Sequence, residues 1–414
     1  MMDNKTYMKI SNLKTTSDGN NIKLSAIVDS EQLGNKELWF SIPKKYEQGL
    51  CKSRMDGFLV GMLFPAMRHG ENIHVEGCIS AQLLSNLNQY VIPMLMTFLP
   101  ACKRIMITAV ETSTERFDCS GVGTGFSGGV DSFCTFFDHY ELENNTENRI
   151  NSLIFLNVGS NGPGRTDEEL MAAYNKFCSR YAYLRKFPEE LGLDFIPLDS
   201  NLHSFHPWGH QLTHSLTTIS AVLVMQNIYR KYFYASGGLS YLELYKFHDL
   251  LLKKDTALID PMLLPLLSTE SLAFVSDGTQ FTRVEKILRI IDYEPVQRYL
   301  NVCVHDSESH ENCSVCSKCC RTLMTLNSIG KLETFSQLFD IGKYKKRAEF
   351  LYLCQQVVLQ NKDPFARNSI KLAKKNNVKL PSFVVSYLLV LLINFTRAWI
   401  PPTISSKIKS FLTT

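Results

Sequence analysis

The chain has 414 residues, of which 45% are apolar and 20% charged, with 44 basic and 40 acidic side chains. This composition is typical of globular proteins and argues against a disordered, collagen-like or coiled-coil protein. The charge is uneven, because residues 341–414 carry 13 basic and 2 acidic side chains, a net charge of +11, which leaves −7 for residues 1–340.

Residues 1–115 predict a small α+β module. Alternating apolar side chains predict strands over Asn21–Ser30, Lys36–Pro43 and Ile73–Cys78, and helical spacing predicts helices over Asp56–Met67 and Ser80–Phe98. This range carries no catalytic motif. We therefore expect it to be a scaffold or interface domain.

Residues 116–300 predict an α/β domain. Strand and helix patterns alternate here, from a strand over Val122–Phe126 to one over Tyr232–Ser236. Such alternation is typical of a parallel sheet with helices on both faces, which binds ligands at the carboxyl ends of its strands. The expected fold class is α/β, a doubly wound parallel sheet with a zinc-binding insert, the N-terminal α+β module and a helical C-terminal region.

A glycine-rich turn follows the first strand of this domain and opens a helix. Adjacent glycines let backbone N–H groups approach an anion, and neighbouring serine hydroxyls can donate to phosphate. No Gly-Lys-Ser/Thr follows, so this is not a Walker A loop. A carboxylate here suggests a Mg²⁺ ligand or a helix cap. The candidate nucleotide-binding residues are Ser127, Gly128, Gly129, Val130, Asp131 and Ser132.

Five of the twelve cysteines lie within 18 residues, and the other seven are scattered singly. Four of the five have the spacing C-x9-C-x2-C-x2-C, which suits a closed tetrahedral Zn²⁺ site within residues 301–330, with an iron–sulfur cluster as the alternative. Cys320 is not expected to be a ligand, because adjacent side chains point apart. The predicted metal ligands are Cys303, Cys313, Cys316 and Cys319.

Residues 331–414 predict a basic helical region. Its uncharged stretch Phe383–Thr396 is too short to span a bilayer core of about 30 Å. It is either a buried core helix or an interfacial helix assisted by nearby lysines at 371, 374, 375 and 379. Because Met1–Ile10 is polar, we predict a cytoplasmic protein, peripheral at the inner face of the membrane if the second interpretation holds.

The turn and the cysteine cluster together resemble the PP-loop ATP pyrophosphatases (the adenine nucleotide alpha hydrolase-like superfamily), in the 7-cyano-7-deazaguanine synthase branch. Residues 127–132 match its Ser-Gly-Gly-x-Asp-Ser signature, and the four cysteines match its zinc ligands with one extra residue in the first spacer. Gly237-Gly238 follows a strand, and Thr282–Lys286 is similar to the family's Thr-Lys-x-Glu segment. The resemblance covers about Val122–Leu326.

The resemblance implies ATP, Mg²⁺ and Zn²⁺ as cofactors and a ligase-type reaction. A carboxylate or carbonyl oxygen attacks the α-phosphorus of ATP, pyrophosphate leaves, and nitrogen then displaces AMP. The implied catalytic residues are Asp131, Ser132 and Arg283, and Gly237 and Gly238 join the nucleotide-binding set. The chain is longer than the family's synthases and also resembles PP-loop proteins of surface-polysaccharide and defence gene sets. The substrate is therefore left between a deazaguanine and a surface-polysaccharide sugar.

Two alternative functions stay open. Cys119 and Cys134 flank the turn, and a tRNA-thiolating PP-loop enzyme would need two such thiols and could hold RNA on the basic tail. No RNA-binding module is recognisable, which argues against nucleic acid. The second alternative is a non-catalytic, ATP-binding regulatory protein.

The histidines His206, His210 and His214 lie four residues apart at a loop–helix junction. They predict either a metal or acid–base site or polar loop and cap residues. The expected partners are a small-molecule substrate, a protein that supplies ammonia or delivers substrate, a membrane surface and a second copy in a homodimer.

Overall fold

The computed structural model describes residues 6–162, 164–206, 208–246, 255–303 and 309–399. The described strands are β1 Tyr7–Asp18, β2 Asn21–Ser30, β3 Gly34–Pro43, β4 Asn72–Ser80, β5 Ile107–Ser113, β6 Gly121–Gly125, β7 Ser152–Asn157, β8 Asp194–Ser200, β9 Tyr229–Ala235 and β10 Ala273–Asp277. The described α-helices are α1 Asp56–His69, α2 Ala81–Asn86, α3 Ile92–Phe98, α4 Val130–Phe136, α5 Asp167–Leu184, α6 Lys186–Glu190, α7 His210–Val224, α8 Tyr241–Lys246, α9 Asp260–Leu266, α10 Arg283–Ile290, α11 Glu294–Tyr299, α12 Ser317–Ser328, α13 Ile341–Arg347, α14 Glu349–Leu359, α15 Pro364–Lys375 and α16 Phe383–Trp399.

The chain forms two compact units. The first contains the chain up to Ser127, residues 135–237 and residues 244–277, and the second contains residues 128–134, residues 238–243 and the chain from Gly278 onward. The glycine-rich turn is therefore the place where the chain first enters the second unit.

All ten described strands form one sheet in the first unit, in the order β10-β9-β6-β7-β8-β3-β2-β1-β4-β5. Six of the nine neighbouring pairs are parallel, and the antiparallel pairs are β1–β2, β2–β3 and β3–β8. This large, mostly parallel sheet with helices confirms the α/β class, while the PP-loop form of the fold stays a prediction. Strands from residues 1–115 and 116–300 pair through β3 and β8, so these two predicted domains share a sheet. The four-part division stays a prediction.

The long buried helix of the first unit is α1, as its apolar sequence predicts. Residues 56–67 are all buried, and the helix packs against α7. A Cβ at Gly57 would lie 2.6 Å from the Ser220 carbonyl oxygen, and one at Gly61 would lie 2.8 Å from the Ser220 hydroxyl. These glycines therefore allow the two helices to approach closely, and the Ser220 hydroxyl donates to the Gly57 carbonyl at 2.6 Å.

The apolar stretch near the end of the chain forms α16, which packs against α14 in the second unit. Among the side chains of α16 that the structure describes, only Ser386 is buried, and large apolar side chains such as Val384 and Leu388 are more than 60% exposed. The interpretation of this stretch as a buried core helix is therefore wrong. Within the described residues no helix is long and apolar enough to cross a membrane.

Candidate phosphate site and metal centre

The glycine-rich turn leaves the sheet where the strand order reverses. From β6 the chain passes to β7 and β8 on one side, and it later returns to β9 on the other side of β6. The parallel strands β6 and β9 end at Gly125 and Ala235, and each is followed within three residues by a glycine pair. In open α/β sheets, ligands bind outside the carboxyl ends of the strands at such a reversal.

One glycine of each pair has a backbone conformation that side chains disfavour. The φ angle is +74° at Gly128 and +90° at Gly238, both in the second unit. A Cβ at Gly238 would lie 2.7 Å from Nε and Nη2 of Arg283. Glycine at this position therefore lets the Arg283 guanidinium group lie directly against the backbone.

Asp131 is bound by two cations from the first turn of α10. Its Oδ2 lies 2.7 Å from Nη2 of Arg283, and its Oδ1 lies 3.0 Å from Nζ of Lys286, whose side chain is only 1% exposed. Burial alone would raise the pKa of Asp131, but the two positive charges outweigh it and hold the pKa below its usual range. A capping box between Thr282 and Glu285 fixes the helix turn that carries both cations.

A third cation, Lys318, comes from the start of α12. Partial burial and then the Arg283 guanidinium lower the pKa of Lys318, while the Asp131 carboxylate acts in the opposite direction. Arg283 and Lys286 contact Asp131 directly, and cations held in this way can also bind an anion.

The predicted role of Asp131 as a Mg²⁺ ligand stays a prediction. Both carboxylate oxygens accept from cations, and those cations would repel a further positive charge. The carboxylate contacts Arg283 and Lys286 and thereby positions both side chains.

Of the other residues predicted to bind a nucleotide, Val130 and Ser132 lie in the same turn. The buried Ser132 hydroxyl donates to the Gly129 carbonyl at 3.0 Å, and Val130 is buried. Ser127 and Gly237 end segments of the first unit, immediately before Gly128 and Gly238. The roles of all these residues toward a nucleotide stay predictions.

Lys286 is not among the site residues predicted from the sequence. A signal for Lys286 was present, because residues three apart on a helix share a face and Lys286 lies three residues after Arg283. Asp277, at the end of β10, was also missed. Its carboxylate accepts from the Thr135 hydroxyl at 2.7 Å and lies 2.8 Å from Nε2 of His139, which anchors the helical segment behind the turn to the sheet.

The four predicted cysteines form one cluster. The sulfur atoms of Cys303, Cys313, Cys316 and Cys319 all lie within 4.8 Å of one another. Two of the sulfur–sulfur distances are 4.0 Å, close to the separation of about 3.8 Å that a tetrahedral Zn²⁺ with 2.3 Å bonds requires. Among the described residues no other group of His, Cys, Asp or Glu is gathered in this way, and Cys320 is outside the set.

Backbone N–H groups support the sulfur atoms. The N–H of Cys313 donates to Cys303 Sγ at 3.5 Å, that of Cys316 to Cys313 Sγ at 3.3 Å, and that of Cys319 to Cys316 Sγ at 3.5 Å. Such bonds stabilise thiolate charge and orient ligands. The donor set therefore fits a closed structural site that can bind a metal such as zinc.

The segment that begins the metal cluster also holds the glycine-rich turn. The backbone N–H of Asn301, two residues before Cys303, donates to the Gly128 carbonyl at 2.7 Å. The Asn312 side chain accepts from the N–H groups of Val302 and Cys303 and donates to the Leu300 carbonyl, which fixes this segment. The metal centre and the candidate phosphate site are thus joined within the second unit.

The histidines belong to the first unit. His203 and His206 are 5% exposed, and burial lowers their pKa values to about 4 and about 3. His214 bonds the Tyr234 hydroxyl at 2.6 Å and Asp255 at 3.1 Å. Burial alone would lower the pKa of His214, but the Asp255 hydrogen bond and the Asp260 charge raise it. The described structure does not gather His206, His210 and His214 into a metal site.

The buried histidines predict acid sensitivity of the first unit. An unfolded histidine has a pKa of about 6.5, so the unfolded state binds more protons, and stability is lost as the pH falls from about 6.5 toward the folded pKa values. At pH 5 the two histidines together lower the free energy of unfolding by roughly 3–4 kcal/mol relative to pH 7.

Changing His206 to Phe, which keeps a ring beside Phe64, should remove about half of that loss in chemical unfolding measured at both pH values. The partly exposed His69→Phe is the matched control. Acid also weakens metal–thiolate binding, so the readout is the difference between variants. Equal pH dependence in the wild type and His206→Phe would contradict the prediction.

The environments of Cys119 and Cys134 argue against the tRNA-thiolating alternative. Cys134 is fully buried, and burial followed by the Asp118 charge raises the pKa of Cys119. Reactive thiols need a lowered pKa and access to a partner. These two environments favour unreactive thiols.

A cleft in the first unit lies between the outer face of β3 and β8 and helix α5. Its volume is ≈ 580 Å³, within the range of small-molecule sites. Its walls carry aromatic rings and charges of both signs, with the Lys23 ammonium 4.8 Å from the centre of the Trp39 ring. Lining residues include Lys23, Trp39, Tyr174, Phe177, Tyr181 and Asp199.

Comparisons of the chain with protein-family models, with curated proteins and with solved structures found no match. The resemblance to PP-loop enzymes therefore rests on the sequence signatures. Any assignment of activity rests on the geometry of the two sites above.

Proposed function

We propose that the protein is an ATP-dependent, AMP- and pyrophosphate-forming ligase-like enzyme of the PP-loop type. The two cations of α10 that bind Asp131, two residues after the Gly128–Gly129 turn, carry the proposal. The Asp131 carboxylate lies 2.7 Å from the Arg283 guanidinium and 3.0 Å from the Lys286 ammonium. Guanidinium and ammonium groups in a partly buried site bind phosphate oxygens strongly.

The proposed reaction is the one that the resemblance to PP-loop enzymes implies. A carboxylate oxygen of the substrate forms a bond to the α-phosphorus of ATP, and the bond from that phosphorus to the α,β-bridging oxygen breaks. Pyrophosphate leaves with the electron pair of that bond, and the cations stabilise its charge. Ammonia then attacks the acyl carbon, AMP leaves, and the nitrogen loses a proton. The contribution of the protein is mainly positioning and charge stabilisation.

The cysteine cluster has a structural role in this proposal. A bound zinc ion would fix the segment 300–303, which donates to the Gly128 carbonyl through the N–H of Asn301. It would also fix the start of α12, which carries Lys318. Four sulfur ligands complete a tetrahedral site, so no position is left for substrate.

The aromatic cleft of the first unit, taken by itself, can bind a small, ring-bearing molecule. Trp39 and the tyrosines of α5 offer ring faces, while Asp199 and Lys23 offer an acceptor and a donor. A deazaguanine and a sugar both present a ring face edged with hydrogen-bonding groups. Both substrate classes therefore stay in the proposal.

Pyrophosphate–ATP exchange tests the proposal. The full-length protein is incubated with ATP, Mg²⁺, labelled pyrophosphate and one acid at a time from a panel of deazaguanine carboxylate, uronic acids and amino acids. Label should enter ATP only with the correct acid, because adenylation is reversible. Release of ADP and orthophosphate would contradict the proposal. Tight ATP binding without exchange or AMP release for any acid would favour a regulatory ATP-binding protein instead.

A further inference from the structure

The last described helix, α16, exposes an unusually apolar surface. Its exposed side chains are between 45% and 66% accessible over the first ten residues, and the Phe383 and Tyr387 rings stack at 5.9 Å. The set includes Phe383, Val384, Val385, Tyr387, Leu388, Leu391 and Leu392. A contiguous apolar surface of this kind marks a membrane or protein interaction site.

Most of the surface of α16 is not covered by other parts of the described structure. Ser386 is buried, and Leu389, Val390 and Ile393 are half-buried at helical spacing on the same side. This narrow line faces α14, against which α16 packs. The larger, apolar side of the helix is turned to solvent.

The charge of the residues around α16 indicates which kind of surface the helix binds. From Pro364 to the end of the sequence there are eight basic side chains and no acidic one. Four of the lysines, at 371, 374, 375 and 379, are exposed in the segment that leads into α16. A second copy of the chain would bring an equally basic segment to the same place, and the two would repel each other. Anionic lipid headgroups match the charge, and acyl chains match the apolar side.

We infer that α16 and the preceding lysines form a docking surface for an anionic membrane, on which the helix lies in the plane of the interface. The helix has 17 residues and does not qualify as a membrane span. Docking of this type combines burial of the apolar side with attraction of the lysines to acidic lipids. The inference does not depend on the proposed ATP chemistry, because it rests only on α14–α16 and their charges.

Vesicle sedimentation of the full-length protein tests the inference. With vesicles of phosphatidylcholine containing about one-third phosphatidylglycerol, the protein should sediment, and it should bind pure phosphatidylcholine much more weakly. Leu388→Ser with Leu392→Ser should lower the partition coefficient by about tenfold or more. The matched control Val110→Ser changes a 70% exposed apolar residue on β5 and should bind as the wild type does.

Lys→Gln changes at 371, 374, 375 and 379 should weaken binding to the anionic vesicles on the order of 100-fold, with little change on neutral vesicles. Pyrophosphate–ATP exchange should persist in these variants, which separates this test from that of the proposed function. The inference is overturned if the wild type fails to bind anionic vesicles. It is also overturned if sedimentation equilibrium shows a stable dimer that the Leu388→Ser and Leu392→Ser changes dissociate and whose stability does not change when vesicles are added.

Discussion

Arg283→Gln is expected to lower AMP formation by about 100- to 1,000-fold, because it removes a guanidinium group that stabilises the charge of leaving pyrophosphate. The fold should survive, since glutamine can still hydrogen-bond Asp131 and Lys286 still pairs with that carboxylate at 3.0 Å. Steady-state AMP release, measured at several ATP concentrations, gives both kcat and KM for ATP.

Arg289→Gln is the matched control for this variant. Arg289 lies on the same helix, α10, but its guanidinium group is 5.0 Å from the centre of the Phe281 ring. The same chemical change there should alter AMP formation less than about threefold. If Arg283→Gln formed AMP at the wild-type rate, Arg283 would not be part of the phosphate site.

Asp131→Asn tests the role of Asp131 in positioning Arg283 and Lys286, separately from any contact of these cations with phosphate. Removing the negative charge takes a counter-charge from both the nearly inaccessible Lys286 ammonium and the Arg283 guanidinium, which should lower the free energy of unfolding by about 3 kcal/mol. Turnover should fall along with stability. Added Mg²⁺ should restore neither, because the contacts that are lost are those with Arg283 and Lys286.

Loss of the metal cluster is expected to have the second large effect, on both folding and turnover. Cys316→Ser removes one of the four sulfur ligands, while the serine hydroxyl can still cap α12. We expect loss of bound zinc and a decrease in the free energy of unfolding of about 3 kcal/mol or more. AMP formation should fall as well, because Asn301 and Lys318 lose their support. Metal content per chain and chemical unfolding measure the two effects.

Cys320→Ala is the control for the cysteine change. Cys320 is buried beside Cys319 but does not belong to the cluster, so this variant should retain one zinc per chain. Equal metal loss in Cys320→Ala and Cys316→Ser would contradict the assigned ligand set. Purification of the wild type with iron and sulfide in place of zinc would contradict the choice of metal.

The sequence predicted elements best where a strong local pattern agreed with burial. The strand over Asn21–Ser30 and the cysteine cluster appear as expected, because alternation and ligand spacing are local signals. Strand β1 was not predicted, because many of its side chains are polar and exposed. Its position in the sheet depends on pairing with β2 and β4. The predicted helix over Ser80–Phe98 is interrupted by a π-helical turn at Leu87–Val91.

The candidate site was predictable in its parts but not in its connections. The Ser-Gly-Gly-x-Asp-Ser signature located the turn, yet nothing in the sequence indicated that Asp131 contacts two cations of α10. The bond from Asn301 to Gly128 joins residues 173 positions apart and involves only the backbone, so no residue type marks it. Likewise, apolar composition alone could not tell whether α16 is buried, because burial depends on neighbouring helices.

The fate of the ATP phosphates tests the central claim most directly. With an acid that supports exchange, ³¹P NMR of a reaction containing ATP, Mg²⁺, ammonia and the full-length protein should show AMP and pyrophosphate in equal amounts. The same reaction with Arg283→Gln should show neither on the same timescale. Appearance of ADP and orthophosphate would contradict the account, since it would place bond cleavage at the γ-phosphate rather than between the α- and β-phosphates.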